Sequence, residues 1–252
     1  MPFILFENHC QANTVSAQST VTNFPAANAS DGKTNTQTAI SGTGNGIDYD
    51  FGAAKTWDTL AIARHNFAEA MNGTTDSVMI YGKAVDTDAW TLVHSDILPV
   101  SNDVYTTTYS SVSYRYCAIR FNFTNATPYM ADISLGERLD LERSQKHGFI
   151  KPEFADSDKI IANITRGQNL VGLNINQAPK RAKFRLFYYT SAFFARWSSL
   201  ITELKQHPIY IQWNDSEKPF YCWPASSIPQ PKYSANIQNH YDAVLDMSGI
   251  TE

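Results

Sequence analysis

Side chains capable of chemistry are present in this chain but dispersed. The six histidines, His9, His65, His94, His147, His207 and His240, stand singly, and no spacing among them suits a metal site or an acid and its base. There is no GxSxG elbow, no HExxH helix, no GxxxxGK[ST] phosphate loop and no spaced Cys/His quartet. Asp48-x-Asp50 and Asp86-x-Asp88 offer the oxygen ligands that calcium uses, yet the first pair falls on one face of an expected strand and the second in an expected turn. Gly42-Thr43-Gly44-Asn45-Gly46 precedes a strand instead of opening a helix, so it lacks the helix dipole of a phosphate cradle and reads as a flexible loop. The expectation is a non-enzymatic protein with no catalytic residue, metal or cofactor.

Binding chemistry is better represented. Lys180-Arg181-Ala182-Lys183-Phe184-Arg185 is the one local cluster of cations suited to phosphates. In a strand, Lys183 and Arg185 point one way and Phe184 and Leu186 the other, the pattern of a half-exposed strand or a subunit contact. Trp57 and Trp90 each have a ring that can stack on a sugar, although a tryptophan in an antiparallel sandwich is more often core.

The elements that must position these residues belong to an ordinary globular chain. It has 252 residues, 43% hydrophobic and 17% charged, with a net charge of -4, which excludes a disordered tail or a fibre repeat. The charge is uneven, with a net -7 over residues 1–140 and +3 over 141–252. Cys10, Cys117 and Cys222 are widely spaced and odd in number, so they read as core thiols of a reducing compartment. The apolar start Phe3-Ile4-Leu5-Phe6 has no basic region before it, and no apolar run approaches the ~18 residues needed to span a bilayer. A soluble protein made in a cytoplasm, with no membrane or specific nucleic-acid partner, is expected.

Residues 11–46, rich in Gln, Asn, Thr, Ser and Gly, read as loop. Short β-type runs follow at 47–51, 59–63, 77–81, 90–93, 104–109, 115–123 and 130–135, as in a sandwich or jelly roll. From Cys117 to Phe123 the odd positions are apolar, so a one-residue slip would bury Arg120 and Asn122 and the register should be firm. The charged stretch from Arg138 to Lys146, before Gly148 and Pro152, suggests a linker at 141–148 between a domain of residues 1–140 and another of 149–252. Strands are expected in the second half at 159–165, 170–176, 183–189, 209–213, 220–223 and about 234–247. Its one helix is marked by Phe193, Phe194, Trp197, Leu200, Ile201 and Leu204 on a single 3.6-residue face, with Thr190 or Ser191 as N-cap and Pro208 beyond its end. That aromatic face has to lie across a sheet or barrel.

The succession Asn28-Ala29-Ser30-Asp31-Gly32-Lys33-Thr34, Ile47-Asp48-Tyr49-Asp50-Phe51-Gly52 and Trp57–Ala63 resembles the discoidin or galactose-binding-like jelly rolls. Val78–Gly82 with Trp90–Val93, Tyr116–Phe123 and Ile133–Glu137 are similar to that family's later strands, so the likeness spans about 12–137, without the terminal cysteine pair of its extracellular members. Arg166–Leu173 and the block Phe193–Trp223 resemble the tail-tube-type domains of long-tailed bacteriophages, in reversed domain order relative to distal tail proteins. The fold implied is mainly β: an N-terminal jelly-roll β-sandwich, then a tail-tube-like sandwich or barrel with one flanking helix. The function implied is a virion structural protein of the phage tail, forming a homo-oligomeric ring with other tail proteins as partners. Lys183, Arg185, Arg196 and Glu203 would then be interface residues. The alternative is a monomeric carbohydrate-binding module, with Asp31, Asn66 and Trp90 around its sugar platform. A glycan-active enzyme would need two carboxylates about 5 to 9.5 Å apart.

Overall fold

The structure is a computed structural model that describes residues 2–11, 13–72, 76–97, 101–142, 159–164, 170–176, 179–214, 218–228, 230–233 and 240–251. Most of the expected linker, His147, Arg166–Asn169 and residues 234–239 of the last expected strand lie outside them. The protein is mainly β. Its first half contains β1 (Phe3–Leu5), β2 (Thr14–Ala17), β3 (Thr38–Ala39), β4 (Gly46–Ala63), α1 (Phe67–Ala70), β5 (Ser77–Lys83), β6 (Thr91–Ile97), β7 (Tyr105–Asn122), β8 (Tyr129–Met130), β9 (Asp132–Gly136) and β10 (Leu139–Asp140). The second half contains β11 (Lys159–Ile164), β12 (Leu170–Asn176), β13 (Lys180–Thr190), α2 (Ser191–Ala195), α3 (Trp197–Leu204), β14 (Ile209–Gln212), β15 (Phe220–Pro224), β16 (Lys232–Tyr233) and β17 (His240–Ile250).

Two strand pairs anticipated as separate are each one long strand. Residues 47–51 and 59–63 are joined in β4, and 104–109 and 115–123 fuse within β7. Bulges between Asp50 and Lys55 and between Trp57 and Thr59 bend β4, so its first part pairs with β2 and its last part with β9. A bend of this kind lets one strand serve both layers of a sandwich. Between the layers lies a core of Ile47, Tyr49, Trp57, Ile62, Phe67, Ile80, Ile119 and Phe121. Gly46 is required where β4 meets β7, because a Cβ there would stand 1.8 Å from the Ile119 carbonyl oxygen.

The second sheet runs β10-β1-β14-β15-β17-β13. The opening apolar run is therefore one of its inner strands, with Phe3 opposite both Asp140 and Gln212. The expected helix is split at Arg196, whose φ of -87° and ψ of 0° end α2 and begin α3. The Thr190 side chain caps α2 by accepting from the Phe193 amide. The anticipated apolar face survives the break, and Phe193, Trp197, Leu200 and Leu204 pack with Phe184, Trp213 and Phe220.

A third apolar cluster, Phe3, Leu5, Ala61, Ala63, Val104, Tyr210 and Tyr221, joins the two sheets. Polar links cross the same seam: the Tyr210 hydroxyl donates to Asp132 at 2.8 Å, Lys218 pairs with Asp103 at 2.7 Å, and Arg196 pairs with Glu7 at 2.8 Å.

Candidate functional site

Cross-strand pairing builds one polar and aromatic face on the jelly-roll sheet. Alternation along β7 sends Cys117, Ile119 and Phe121 into the core and turns Tyr116, Ala118 and Arg120 to the opposite side, where Tyr116 is half-buried and Ala118 and Arg120 are buried. Register then sets these residues in rows. Leu92, Tyr81, Ala118 and Asp48 form one row, Lys83, Tyr116 and Asp50 a second, and Met79 and Arg120 a third.

Charges on this face are paired across strands. Arg115 forms a two-pronged bond with Asp50 at 2.8 and 2.9 Å, which holds the Asp50 carboxyl below its usual value. Arg120 pairs with Asp48. In the 84–90 turn, Lys83 Nζ donates to the Asp86 carbonyl at 2.7 Å and to its carboxylate at 2.8 Å. The carboxylates of Asp48, Asp50 and Asp86 are thus engaged by Arg and Lys. Among the described residues no three His, Cys, Asp or Glu side chains gather as they would around a metal ion.

Trp90 follows that turn. Lys83 Nζ lies 4.8 Å from the centre of its ring and 5.0 Å from that of Tyr116, while the Arg120 guanidinium lies 5.7 Å from Trp90 and that of Arg115 4.8 Å from Tyr116. Cations against ring faces fix the rings electrostatically. Trp90 is only half-buried. Leu92 is 53% exposed and Val85 52%, two of the three large hydrophobic side chains most open to solvent among the described residues. Such side chains beside an ordered polar lattice mark a surface built for contact.

The expected site residues occupy separate settings. Asp31 caps its own turn, accepting from the Lys33 amide and the Thr36 hydroxyl. Asn66 is a brace: its amide donates to the Thr127 carbonyl and accepts from the Tyr129 amide. Of the two tryptophans weighed as sugar platforms, Trp57 is fully buried in the core and Trp90 is half-buried. Lys183 and Arg185 are exposed on β13, as the alternation requires, and Glu203 is half-buried on α3. Arg196, expected to face another subunit, binds Glu7 and the Arg138 carbonyl within its own chain, because the helix break turns it toward the seam. The sequence did not single out Lys83, Arg115, Tyr116 and Arg120 for this face, because cations and an aromatic within strands form no motif.

A cleft of about 250 Å³ opens at the loop end of the jelly roll between Gly42–Thr43 and 121–128. Its aromatic residues, Phe121 and Phe123, are buried, so it presents no ring face to a ligand.

No family model matches this sequence, and no curated protein matches it. Several solved structures are similar over about half of the chain. A chitosan-binding module of a chitosanase/glucanase from Paenibacillus sp. IK-5 is 18% identical, covering 51% of this chain and 98% of the module, with a TM-score of 0.43. The family 32 carbohydrate-binding module of NanJ from Clostridium perfringens, solved with galactose, is 21% identical over 54% of this chain and 98% of its own, with a TM-score of 0.41. The family 32 module of AlyQ, in complex with 4,5-unsaturated mannuronic acid, is 22% identical over 48% of this chain and 92% of its own, at 0.41. Nothing in these comparisons shows a phage tail protein.

Proposed function

We propose that this protein is a non-catalytic carbohydrate-binding protein whose ligand lies on the Trp90 face. The observation that carries this reading is the coincidence of a half-open tryptophan, two strongly exposed aliphatic side chains and a lattice of paired charges on one rigid sheet. A sugar ring has an apolar C–H face and a rim of hydroxyls, so it needs an aromatic plane bordered by donors and acceptors. Trp90 supplies the plane. Asp48, Asp50, Arg115 and Arg120 supply the rim, with side chains that are 31%, 29%, 41% and 9% exposed. Their mutual bonds hold them in place before a ligand arrives, which lowers the entropy cost of binding.

The test is a glycan array on the purified protein, followed by calorimetry on the strongest ligand. Trp90→Ala should weaken binding by about tenfold or more, the loss of one stacking contact of roughly 1.4 kcal/mol, while the circular dichroism spectrum stays that of the parent. An array with no ligand, or unaltered affinity in the folded variant, would overturn the assignment.

A further inference from the structure

On the second sheet, a groove of about 510 Å³ runs between the helix pair and the β16–β17 side. Its helical wall carries Ser191, Phe194, Trp197, Ser198, Ile201, Thr202 and Lys205, a stripe of roughly 20 Å at 1.5 Å per residue. Gln230, Pro231 and Tyr241 line the opposite wall.

Three aromatic rings of the lining follow one another, and Tyr233, outside the lining, continues the series. Tyr233 meets Tyr241 at 4.6 Å between ring centres with the planes tilted by 31°, Tyr241 meets Phe194 at 5.7 Å, and Phe194 meets Trp197 at 5.0 Å. Tyr233, at the end of the series, is 73% exposed, the most open large hydrophobic side chain described. Trp197 is only 4% exposed, and its indole N–H has no hydrogen-bond partner among the described residues. That nitrogen is itself buried, so Trp197 forms the floor of the groove and its ring, not its donor, belongs to the lining.

The polar character of the lining narrows the ligand. Hydroxyls from Ser191, Ser198 and Thr202, the Gln230 amide and the exposed Lys205 ammonium border the rings, and no carboxylate is among the described lining residues. An apolar helix from a partner would leave these groups desolvated and unpaired. A linear ligand with apolar faces, many oxygens and negative charge satisfies all of them.

We propose that this groove is a second binding site, separate from the Trp90 face, and that it takes an acidic oligosaccharide chain, with Tyr233 and Tyr241 as stacking rungs and Lys205 opposite a carboxylate. Charge complementarity separates it from the Trp90 face, where cations and carboxylates are matched.

Calorimetry with hexagalacturonate, and with cellohexaose as the neutral chain of equal length, tests the site on the full chain. Hexagalacturonate should bind the parent, and more weakly as salt screens Lys205. Tyr233→Ala, at an exposed position that leaves the core intact, should weaken binding about tenfold. Lys205→Gln should weaken it about threefold and flatten the salt dependence, as befits an exposed ion pair. Trp90→Ala should leave this binding unchanged. Equal affinity for cellohexaose, no heat with hexagalacturonate, or parental affinity in both groove variants would each overturn the proposal. If Trp90→Ala alone abolished hexagalacturonate binding, the groove would be excluded and the Trp90 reading would stand. Loss in Tyr233→Ala alone would support the groove whatever the fate of the Trp90 face.

Discussion

The Trp90 face and the helix-side groove both present aromatic rings to solvent, but they are built in opposite ways. On the jelly roll, Trp90, Arg115 and Tyr116 stand outside a complete core that Trp57, Ile119 and Phe121 fill without them. In the groove, Trp197 is both the floor of the site and a member of the second core, packed with Phe184 and Phe220. Binding and stability are therefore carried by different side chains in the first region and by shared ones in the second. A sheet whose core is closed behind it can vary its outer face freely, whereas a helix laid over a sheet has one apolar stripe for both purposes.

The largest effect should come where the two roles overlap. Trp197→Ala leaves a cavity beneath the helix pair and should cost about 3–5 kcal/mol, measured by urea denaturation. A variant as stable as the parent would break the contrast between the regions.

The next effect concerns two buried titratable groups whose pH dependences oppose each other. Burial lifts the Asp132 carboxyl from 3.8 to about 6, against the lowering effect of its bonds from Tyr210 and Ser134, and the Asp31 charge pushes the same way as burial. Burial lowers His65 from 6.5 to about 4, partly opposed by the Asp103 backbone bond and by the charges of Asp103 and Glu69. Between about pH 4 and 6 the folded state holds a proton at Asp132 that the unfolded chain has released, so acidification favours folding there. Over about pH 4 to 6.5 the unfolded chain holds a proton at His65 that the folded state excludes, so acidification opposes folding. Each shift is worth on the order of 3 kcal/mol, and across their common range the two nearly cancel. Asp132→Asn should therefore raise the melting temperature near pH 7.5 and expose a steep loss toward pH 4.5. His65→Phe should do the reverse in acid, becoming more stable relative to the parent as pH falls. Parallel melting curves for all three proteins across pH 4–8 would refute the opposition.

The smallest effect is expected on the Trp90 face. Arg120→Ala removes the partner of Asp48 and one cation against Trp90, and should cost about 1–2 kcal/mol because Arg120 is mostly buried. Sugar affinity should fall as well, since Trp90 loses a support. Unaltered stability together with unaltered affinity would show that the lattice does not organise the ring.

Local pattern made much of this architecture legible. The alternation from Cys117 to Phe123 identified the apolar residues of β7 that enter the core, but Arg120, which that register was expected to keep from burial, is only 7% exposed, with its guanidinium against Trp90. The 3.6-residue stripe from Phe193 to Leu204 identified the helix face that meets the sheet. Alternation in β13 left Lys183 and Arg185 exposed. These are properties of neighbours in sequence, set by side-chain direction along a strand or helix.

Long-range pairing was beyond that reach. Asp31, Asn66 and Trp90 were grouped around one sugar platform, yet hydrogen bonds with Thr127 and Tyr129 make Asn66 a brace, and the Asp31 side chain closes its own turn. The break at Arg196 is invisible in the helical stripe, because the apolar face continues across it while the guanidinium turns to Glu7, 189 positions away.

Composition, alternation and helical period determined that this chain is mainly β, that one aromatic helix face covers a sheet, and which side of each strand is apolar. Only the folded chain decided that Phe3–Leu5 belongs to the second sheet, that Trp57 is fully buried while Trp90 is only half-buried, and that Phe194, Trp197 and Tyr241 line one groove. The reason is physical: burial direction is set by the nearest few residues, whereas a binding surface is made by side chains that register and seam packing bring together from distant strands.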